Sequence, residues 1–198
     1  MKKVLLSAVA LLAFGFANAQ EEEKGNGGFS KGDVFVSGGV GFNSGKQGEY
    51  KESDFTFSPA VGYFVTENIA LGARLDLTSG KQELGAAEDK TSAFGAEVFG
   101  RYYWTAASQF SVFGEVGVGF GNAKEEDSFG NEQKFNAFGV NAGVGVSYFL
   151  NSNFAIEAGW AGLGYNSVKE DAEGAEAYST FGLNVDLSAV NFGLVYKF

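Results

Sequence analysis

The sequence contains neither cysteine nor histidine. Without cysteine, a disulfide framework, a thiolate metal site and a lipid-modified cysteine are all excluded. Without histidine, the chain lacks the usual general base and the commonest transition-metal ligand. Proline occurs once, whereas there are 30 glycines and 21 phenylalanines among 198 residues. This composition favours many strands over a helical bundle, and we expect no metal, no cofactor and no enzymatic activity.

Positive charge is also scarce, because 14 basic residues face 24 acidic ones and the net charge is −10. A chain with a pI near 4.5 has no basic footprint with which to grip phosphates. A nucleic-acid partner is therefore not expected.

Residues 1–19 have the composition of an export signal. Lys2 and Lys3 precede an apolar run from Val4 to Phe16, and Ala17-Asn18-Ala19 supplies the small residues that precede a cleavage site. The run is shorter than the about 20 apolar residues of a spanning helix. We predict a cleaved signal peptide at 1–19 and, in the acidic, glycine-rich stretch that follows, a flexible segment at 20–32.

From residue 33 to residue 198 the main pattern is alternation of apolar with small or polar residues, which is typical of half-buried strands. In "FNAFGVNAGVGVSYF", for example, Phe138, Val140, Val144, Val146 and Tyr148 share one face, while glycine, asparagine and serine occupy the other. Eight such strands can be placed. The alternation changes phase twice, which predicts one bulge near Ser188-Ala189 and an irregularity between Trp160 and Tyr165.

The connections alternate in length. "TEN", "TAASQ" and "LNSN" are short, whereas "SGKQGEYKES", "GKQELGAAEDK", "NAKEEDSFGNEQ" and "NSVKEDAEGAEA" are long and charged. Short turns at one end and long loops at the other are typical of outer-membrane barrels. The sequence therefore predicts an all-β fold, an eight-stranded antiparallel up-and-down transmembrane β-barrel.

The two strand faces also differ in charge. The apolar face is nearly free of charge, as lipid requires, since a charge there costs about 2–4 kcal/mol at the bilayer midplane. Aromatic residues gather at both strand ends, which predicts two interfacial girdles. The alternative is an exported soluble barrel of lipocalin type, in which the apolar face would point inward.

The charged residues of the alternate face are candidates for a network in the lumen: Arg74, Asp76, Glu97, Arg101, Glu115, Glu157 and Asp186. Because a narrow barrel cannot leave buried charges unpaired, we expect an ion-pair plug. The alternative is the constriction of a narrow cation-preferring pore, since carboxylates outnumber guanidinium groups. A catalytic role for Glu97 and Glu115 is not expected, because no cleft for a substrate is apparent.

Two acidic clusters fall in the predicted outer loops: Glu125, Glu126 and Asp127 in one, and Glu170, Asp171, Glu173 and Glu176 in the other. They are either solvated loop charges or an adhesive surface that recruits divalent cations bridging to lipopolysaccharide. The calcium-loop spacing of an EF-hand is absent.

The last residues, "NFGLVYKF", place Phe192, Leu194, Tyr196 and Phe198 on one face of a terminal strand. This strand resembles the C-terminal signature of Gram-negative outer-membrane barrels. Together with the signal peptide and the loop pattern, it makes the chain similar to the small outer membrane protein beta-barrel domain family, with OmpX-like and OmpA-like relatives in architecture.

The resemblance implies that these four residues are an assembly signal read by the barrel-assembly machinery. It also implies a monomeric protein of the cell outer membrane in contact with outer-membrane lipid and lipopolysaccharide. The role expected from it is structural or a cell-surface interaction.

Overall fold

The computed structural model describes residues 27–185 and 191–198. The predicted signal peptide, most of the predicted flexible segment, Asp186 and the predicted bulge at Ser188-Ala189 lie outside these ranges. All regular elements of the described residues are strands, which are β1 (Val34–Gln47), β2 (Tyr50–Phe64), β3 (Ile69–Leu84), β4 (Ala87–Tyr103), β5 (Phe110–Glu126), β6 (Glu132–Phe149), β7 (Phe154–Glu170), β8 (Tyr178–Val185) and β9 (Asn191–Lys197). The described residues include no helix of the length and apolarity that crossing a membrane requires.

The strands form one closed antiparallel sheet. Each of β1 to β7 pairs with the next strand along the chain, and β9 pairs with both β7 and β1. β8 pairs with the outer part of β7, opposite Ala161 to Val168, whereas β9 pairs with the part from Phe154 to Gly159. β8 and β9 therefore share one strand position, and the predicted eight-stranded up-and-down barrel is confirmed.

The prediction of a long loop is wrong for three of the four outer connections, because the strands continue through most of the residues assigned to these loops. Residues 48–49, 85–86 and 127–131 connect the first three outer hairpins, and only residues 171–177 form a longer link. Gly48 and Gly85 have positive φ values of 63° and 61°, which a tight turn demands and which glycine adopts without steric cost. Charged residues thus extend the hairpins beyond the about 9–11 residues that cross a bilayer.

One of the two predicted irregularities is confirmed on β7. The register between β6 and β7 shifts between Val144 and Gly145, whose partners are Ala161 and Gly159. Residue 160 is therefore an extra residue on β7, as in a β-bulge. The bulge explains why the apolar positions of β7 change parity before Leu163 and Tyr165.

The barrel is apolar outside. Large apolar side chains on the outer face are strongly exposed, among them Leu71, Val98 and Val116, with 52%, 62% and 62% of their surface accessible. Such a surface suits contact with lipid and would be unfavourable in water. The soluble lipocalin-type alternative is not supported.

Aromatic side chains fill the mouth of the barrel at the short-turn end, in a cluster formed by Phe29, Phe35, Phe64, Tyr103 and Phe149. Phe29 is 1% exposed and stacks on Phe64 at 4.6 Å between ring centroids. The backbone N–H of Phe29 donates to the carbonyl of Ala106 at 2.7 Å. The structure thus differs from the expected flexible segment in its last residues, since Phe29 enters the barrel and closes this mouth.

Candidate functional site in the barrel lumen

Arg74 connects two carboxylates on neighbouring strands. Its guanidinium lies 2.7 Å from Glu97 on β4 and 2.9 Å from Glu115 on β5. The register puts Arg74 directly opposite Glu97, so that the pair follows from strand adjacency alone. The amide of Asn141 on β6 also donates to Glu97.

Arg101 lies one layer closer to the short turns and joins opposite walls of the lumen. It donates to Glu115, its partner across the β4–β5 ladder, and to Glu157 on β7 at 2.7 Å. The hydroxyl of Tyr103 donates to the other oxygen of Glu157 at 3.1 Å. Arg101 is 5% exposed and Glu157 is 6% exposed, so both charges are compensated within the protein rather than by bulk water.

Aromatic rings surround the two guanidinium groups on their remaining sides. Arg101 lies 4.5 Å from the ring centroid of Phe113 and 5.1 Å from that of Phe99, and Arg74 lies 5.1 Å from Phe99. Such cation–π contacts strengthen when they are desolvated. The rings hold both arginines centrally, where they can reach carboxylates from several strands.

Glycine makes space for these large side chains. A Cβ at Gly117 would lie 2.7 Å from the carboxylate carbon of Glu97, and one at Gly72 would lie 2.5 Å from the carbonyl oxygen of Val61. Any larger residue at either position would displace its neighbours. The glycine-rich face seen in the sequence is therefore the surface against which the network packs.

A cavity of about 180 Å³ lies beyond the network, toward the outer hairpins. Asp76, Glu97, Asn141 and Asn166 line it, together with several glycines. Asp76 accepts a hydrogen bond from Ser58 at 2.6 Å and is not joined to the arginines. Strand alternation directs five further carboxylates to the same inner face of the hairpins: Glu52, Asp54, Asp89, Glu125 and Glu170.

The structure therefore brings together Arg74, Arg101, Glu97, Glu115 and Glu157, places Asp76 in the cavity above them, and does not describe Asp186. Sequence reasoning missed Tyr103, Asn141 and Phe29. Strand alternation could have indicated Tyr103 and Asn141 as lumen residues, because each has the inward parity of its strand. Phe29 has no such signal, since it precedes the first strand.

The predicted acidic clusters lie at the outer end of the barrel and do not form one site. Glu125, Glu126 and Glu170 end strands β5 and β7, whereas Asp127 lies in a turn and Asp171, Glu173 and Glu176 lie in the last link. The pKa of Asp127 is held below its usual value by hydrogen bonds from the side chain and backbone of Asn131 and from the backbone of Phe129. Within residues 27–185 and 191–198, no group of three or more acidic side chains could hold a metal ion.

Three residues of the predicted assembly signal, Phe192, Leu194 and Tyr196, lie on β9 at the seam that closes the barrel, and Phe198 directly follows this strand. Leu194 is opposite Gly38 of β1 and Ile156 of β7. Tyr196 packs against Phe154 and Phe198, both at 4.9 Å between ring centroids. Tyr196 and Phe198 form part of the girdle at the short-turn end, whereas Phe154 is 3% exposed.

A closed antiparallel barrel with an apolar exterior and a charged, glycine-lined lumen has the architecture of an integral outer-membrane protein. The chain belongs to the family described as outer membrane protein beta-barrel domain, which matches residues 6–198. The family and the outer-membrane location predicted from the sequence are thereby confirmed.

Among proteins of known identity, the chain is similar to a 22 kDa outer membrane protein of Rhizobium leguminosarum bv. viciae. The two are 26% identical over 127 residues, which are 60% of this chain and 57% of that protein. The match thus spans a little over half of that relative.

Two solved structures share the fold. The outer membrane protein OprG of Pseudomonas aeruginosa has a TM-score of 0.51 and 17% identity, with 86% of this chain and 98% of that chain covered. Neisserial surface protein A, NspA, has a TM-score of 0.51 and 16% identity, with 85% and 100% covered. These likenesses show the fold alone.

Proposed function

We propose that the protein is a non-enzymatic, monomeric outer-membrane barrel that is closed to solute flow and acts through the surface of its outer hairpins. The observation that carries this proposal is the presence of two consecutive closures in the lumen. The ion-pair network that joins Arg74 and Arg101 to Glu97, Glu115 and Glu157 fills the middle. The aromatic cluster around Phe29 fills the mouth below it.

The network favours a plug over a gate because it has little freedom to open. Arg101 contacts Glu115 and Glu157 and is covered by aromatic rings. Separating Arg101 from Glu157 would leave the buried charge of Glu157 uncompensated, which costs about 3–5 kcal/mol. Thermal opening of a passage through Arg101 would therefore be rare.

The outer hairpins supply the surface for interaction. They carry the acidic residues Glu125, Glu126 and Asp127 and, on the neighbouring hairpin, Glu170, Asp171, Glu173 and Glu176. Such carboxylates suit divalent cations that bridge to lipopolysaccharide, or basic patches on another surface. In the same proposal, Phe192, Leu194, Tyr196 and Phe198 serve as the signal for the barrel-assembly machinery.

The experiment that tests the closed lumen is ion release from vesicles. Refolded protein is inserted into vesicles loaded with potassium chloride, and folding is verified by its faster migration in unheated gel samples. We expect release no faster than from protein-free vesicles. A release rate that rises in proportion to the inserted protein would overturn the proposal.

A narrow cation-preferring pore is the second candidate. The inner face of the outer hairpins favours it, since Glu52, Asp54, Asp76, Asp89 and Glu125 are all carboxylates and the described residues place no lysine on this face. Acidic rings of this kind select cations in channels. In the vesicle experiment this candidate predicts release of potassium that is faster than that of chloride.

A further inference from the structure

The outer surface of the barrel carries one lysine on each of strands β1 to β7, always at the same position relative to the membrane. Each lies four residues further out than the last aromatic or leucine residue of the apolar face. The pairs are Lys46 with Phe42, Lys51 with Phe55, Lys81 with Leu77, Lys90 with Phe94, Lys124 with Phe120, Lys134 with Phe138 and Lys169 with Tyr165. An even separation keeps both members of a pair on one face, so all seven lysines point outward.

These seven lysines, called the lysine belt below, are also every lysine between residues 34 and 185. None faces the lumen, where the carboxylates described above lie. In the outer hairpins lysine therefore occurs on the outward face alone, whereas carboxylates occur on both faces.

The belt follows one level around the barrel. Within hairpins the reference residues are directly opposite each other, as Phe42 and Phe55 are, and as Phe120 and Phe138 are. Between hairpins the register moves by two residues, since Phe57 rather than Phe55 lies opposite Leu77. A regular stagger of this kind is what strand tilt produces in a barrel, so the row remains level with the membrane.

The height of the belt is that of lipid headgroups. Four residues span about 13 Å along a strand, which is about 10 Å of height for strands tilted by about 40°. The aromatic residues mark the edge of the hydrocarbon. The flexible lysine side chains, which can bend toward the interface, therefore end in the headgroup layer.

Lysines in the belt face each other across the ladder in three hairpins. Lys46 is opposite Lys51, Lys81 is opposite Lys90, and Lys124 is opposite Lys134. Like charges directly opposite each other destabilise a sheet. Two residues further out the same occurs with carboxylates, because Glu83 is opposite Glu88 and Glu126 is opposite Glu132. Across the ladders between hairpins the pairing is the reverse, since Lys51 is opposite Glu83 and Lys90 is opposite Glu126. Lysine therefore faces lysine only within a hairpin.

We propose that the lysine belt binds the phosphate groups of phosphorylated glycolipid in the surrounding outer leaflet. On the outward face the lysines lie closer to the hydrocarbon and the carboxylates lie two residues further out. This order matches the outer leaflet, where phosphates lie just above the hydrocarbon. Some lysines are shared with the outer carboxylates, as Lys81 is with Glu83 and Glu88 at 2.6 and 2.7 Å. Lys46, Lys134 and Lys169 make no ion pair with the described residues and are the free cations of the belt.

The test compares lipid binding by four folded proteins in detergent, the last of which carries arginine at the three lysine positions changed in the second. Native mass spectrometry measures the affinity for diphosphoryl lipid A and for the same lipid without phosphates. The first protein is the wild type, and the second carries Lys46→Gln, Lys134→Gln and Lys169→Gln. The third carries Gln47→Glu, Gln82→Glu and Gln133→Glu, which changes the net charge equally at the same level but on the inner face.

We expect the wild type to prefer the phosphorylated lipid, with a preference that weakens as salt is raised. The lysine variant should lose up to about fivefold in affinity per lysine, the glutamine control should bind like the wild type, and Lys→Arg at the same positions should retain binding. Inorganic phosphate should weaken binding no more than sodium chloride of the same ionic strength, because a belt of several lysines holds the phosphates of a lipid rather than single free ions. Equal losses in the lysine variant and the control, or equal binding of both lipids by the wild type, would overturn the proposal. Neither result bears on whether the lumen conducts.

Discussion

Arg101 on β4 and Glu157 on β7 approach to 2.7 Å across the lumen. Their strands are not neighbours, so this ion pair joins two walls of the closed barrel through its interior. It connects to Arg74 through Glu115, which both arginines contact. The network therefore stabilises the barrel cross-section in addition to filling it.

Replacing Arg101 by methionine is expected to destabilise the barrel strongly. The variant leaves Glu157 buried without its cation, at a cost of about 3–5 kcal/mol. The free energy of unfolding is measured in urea from the fraction of protein that keeps the gel mobility of the folded state. Lys31→Met, an exposed substitution at the short-turn end, should change it by less than about 0.5 kcal/mol.

The double variant Arg101→Met, Glu157→Gln separates pairing from burial. Because glutamine at position 157 carries no charge, the double variant should recover part of the stability lost in Arg101→Met. Additive losses would contradict a direct interaction between the two side chains.

Replacing Phe29 by alanine is expected to release the segment that closes the short-turn mouth. The ring stacks among four aromatic side chains, and the neighbouring Gly28 carbonyl accepts a hydrogen bond from Lys197 at 2.7 Å. Loss of the ring removes most of the apolar contact that holds the segment. Trypsin should then cut after Lys31 many times faster than in the wild type, as measured by mass spectrometry.

Phe129→Ala is the matched control for that experiment, since Phe129 is 89% exposed in an outer turn. It should leave the cleavage rate at Lys31 unchanged. Rapid cleavage of the wild type at Lys31 would show that the segment does not hold the mouth closed in solution.

The turn between β5 and β6 is expected to loosen in acid. Asp127 has a lowered pKa in the folded protein, so its contribution is present at neutral pH and is lost as pH falls through that lowered value. The amide resonances of Phe129 and Asn131, which donate to Asp127, should shift together with a midpoint below the ordinary pKa of aspartate. In Asp127→Asn both resonances should no longer titrate; a midpoint at the ordinary value would refute the pairing.

Replacing Phe198 by serine is expected to impair assembly in cells more than stability. Phe198 is 67% exposed and packs on Tyr196, so its loss should cost little in the refolded protein. If the terminal aromatic residue is part of the assembly signal, the heat-modifiable fraction in the outer membrane should fall several-fold. Leu84→Ser, at an exposed hairpin end, serves as the control, and equal assembly of both variants would refute the signal.

The barrel fold and about half of the contacts in its lumen can be predicted from the sequence. Period-two alternation indicates which side chains share a face, and adjacency of β3, β4 and β5 then brings Arg74 near Glu97. The partnership of Arg101 with Glu157 requires knowledge of barrel diameter and closure, which alternation does not supply. The docking of Phe29 depends on a mouth assembled from four distant segments, so no local pattern indicates it.

The charged stretches of the outer hairpins resemble loops in sequence although they form strands. Their strands have no apolar face outside the membrane, so hydrophobic alternation ends at Leu77 and Phe94. Alternation of charge continues, however, with Lys81 and Glu83 outward and Gln82 inward. Hydrogen bonding in the ladder extends the strands wherever a tight turn such as the one at Gly85 permits it.

The closed lumen is tested most directly by single-channel recording of the refolded wild type in a planar bilayer at high salt. A plugged lumen predicts a stable baseline without discrete current steps, in preparations whose gel mobility shows folded protein. Discrete cation-selective steps in the wild type that change on Glu97→Gln or Glu115→Gln would contradict the plug and establish the lumen as a pore.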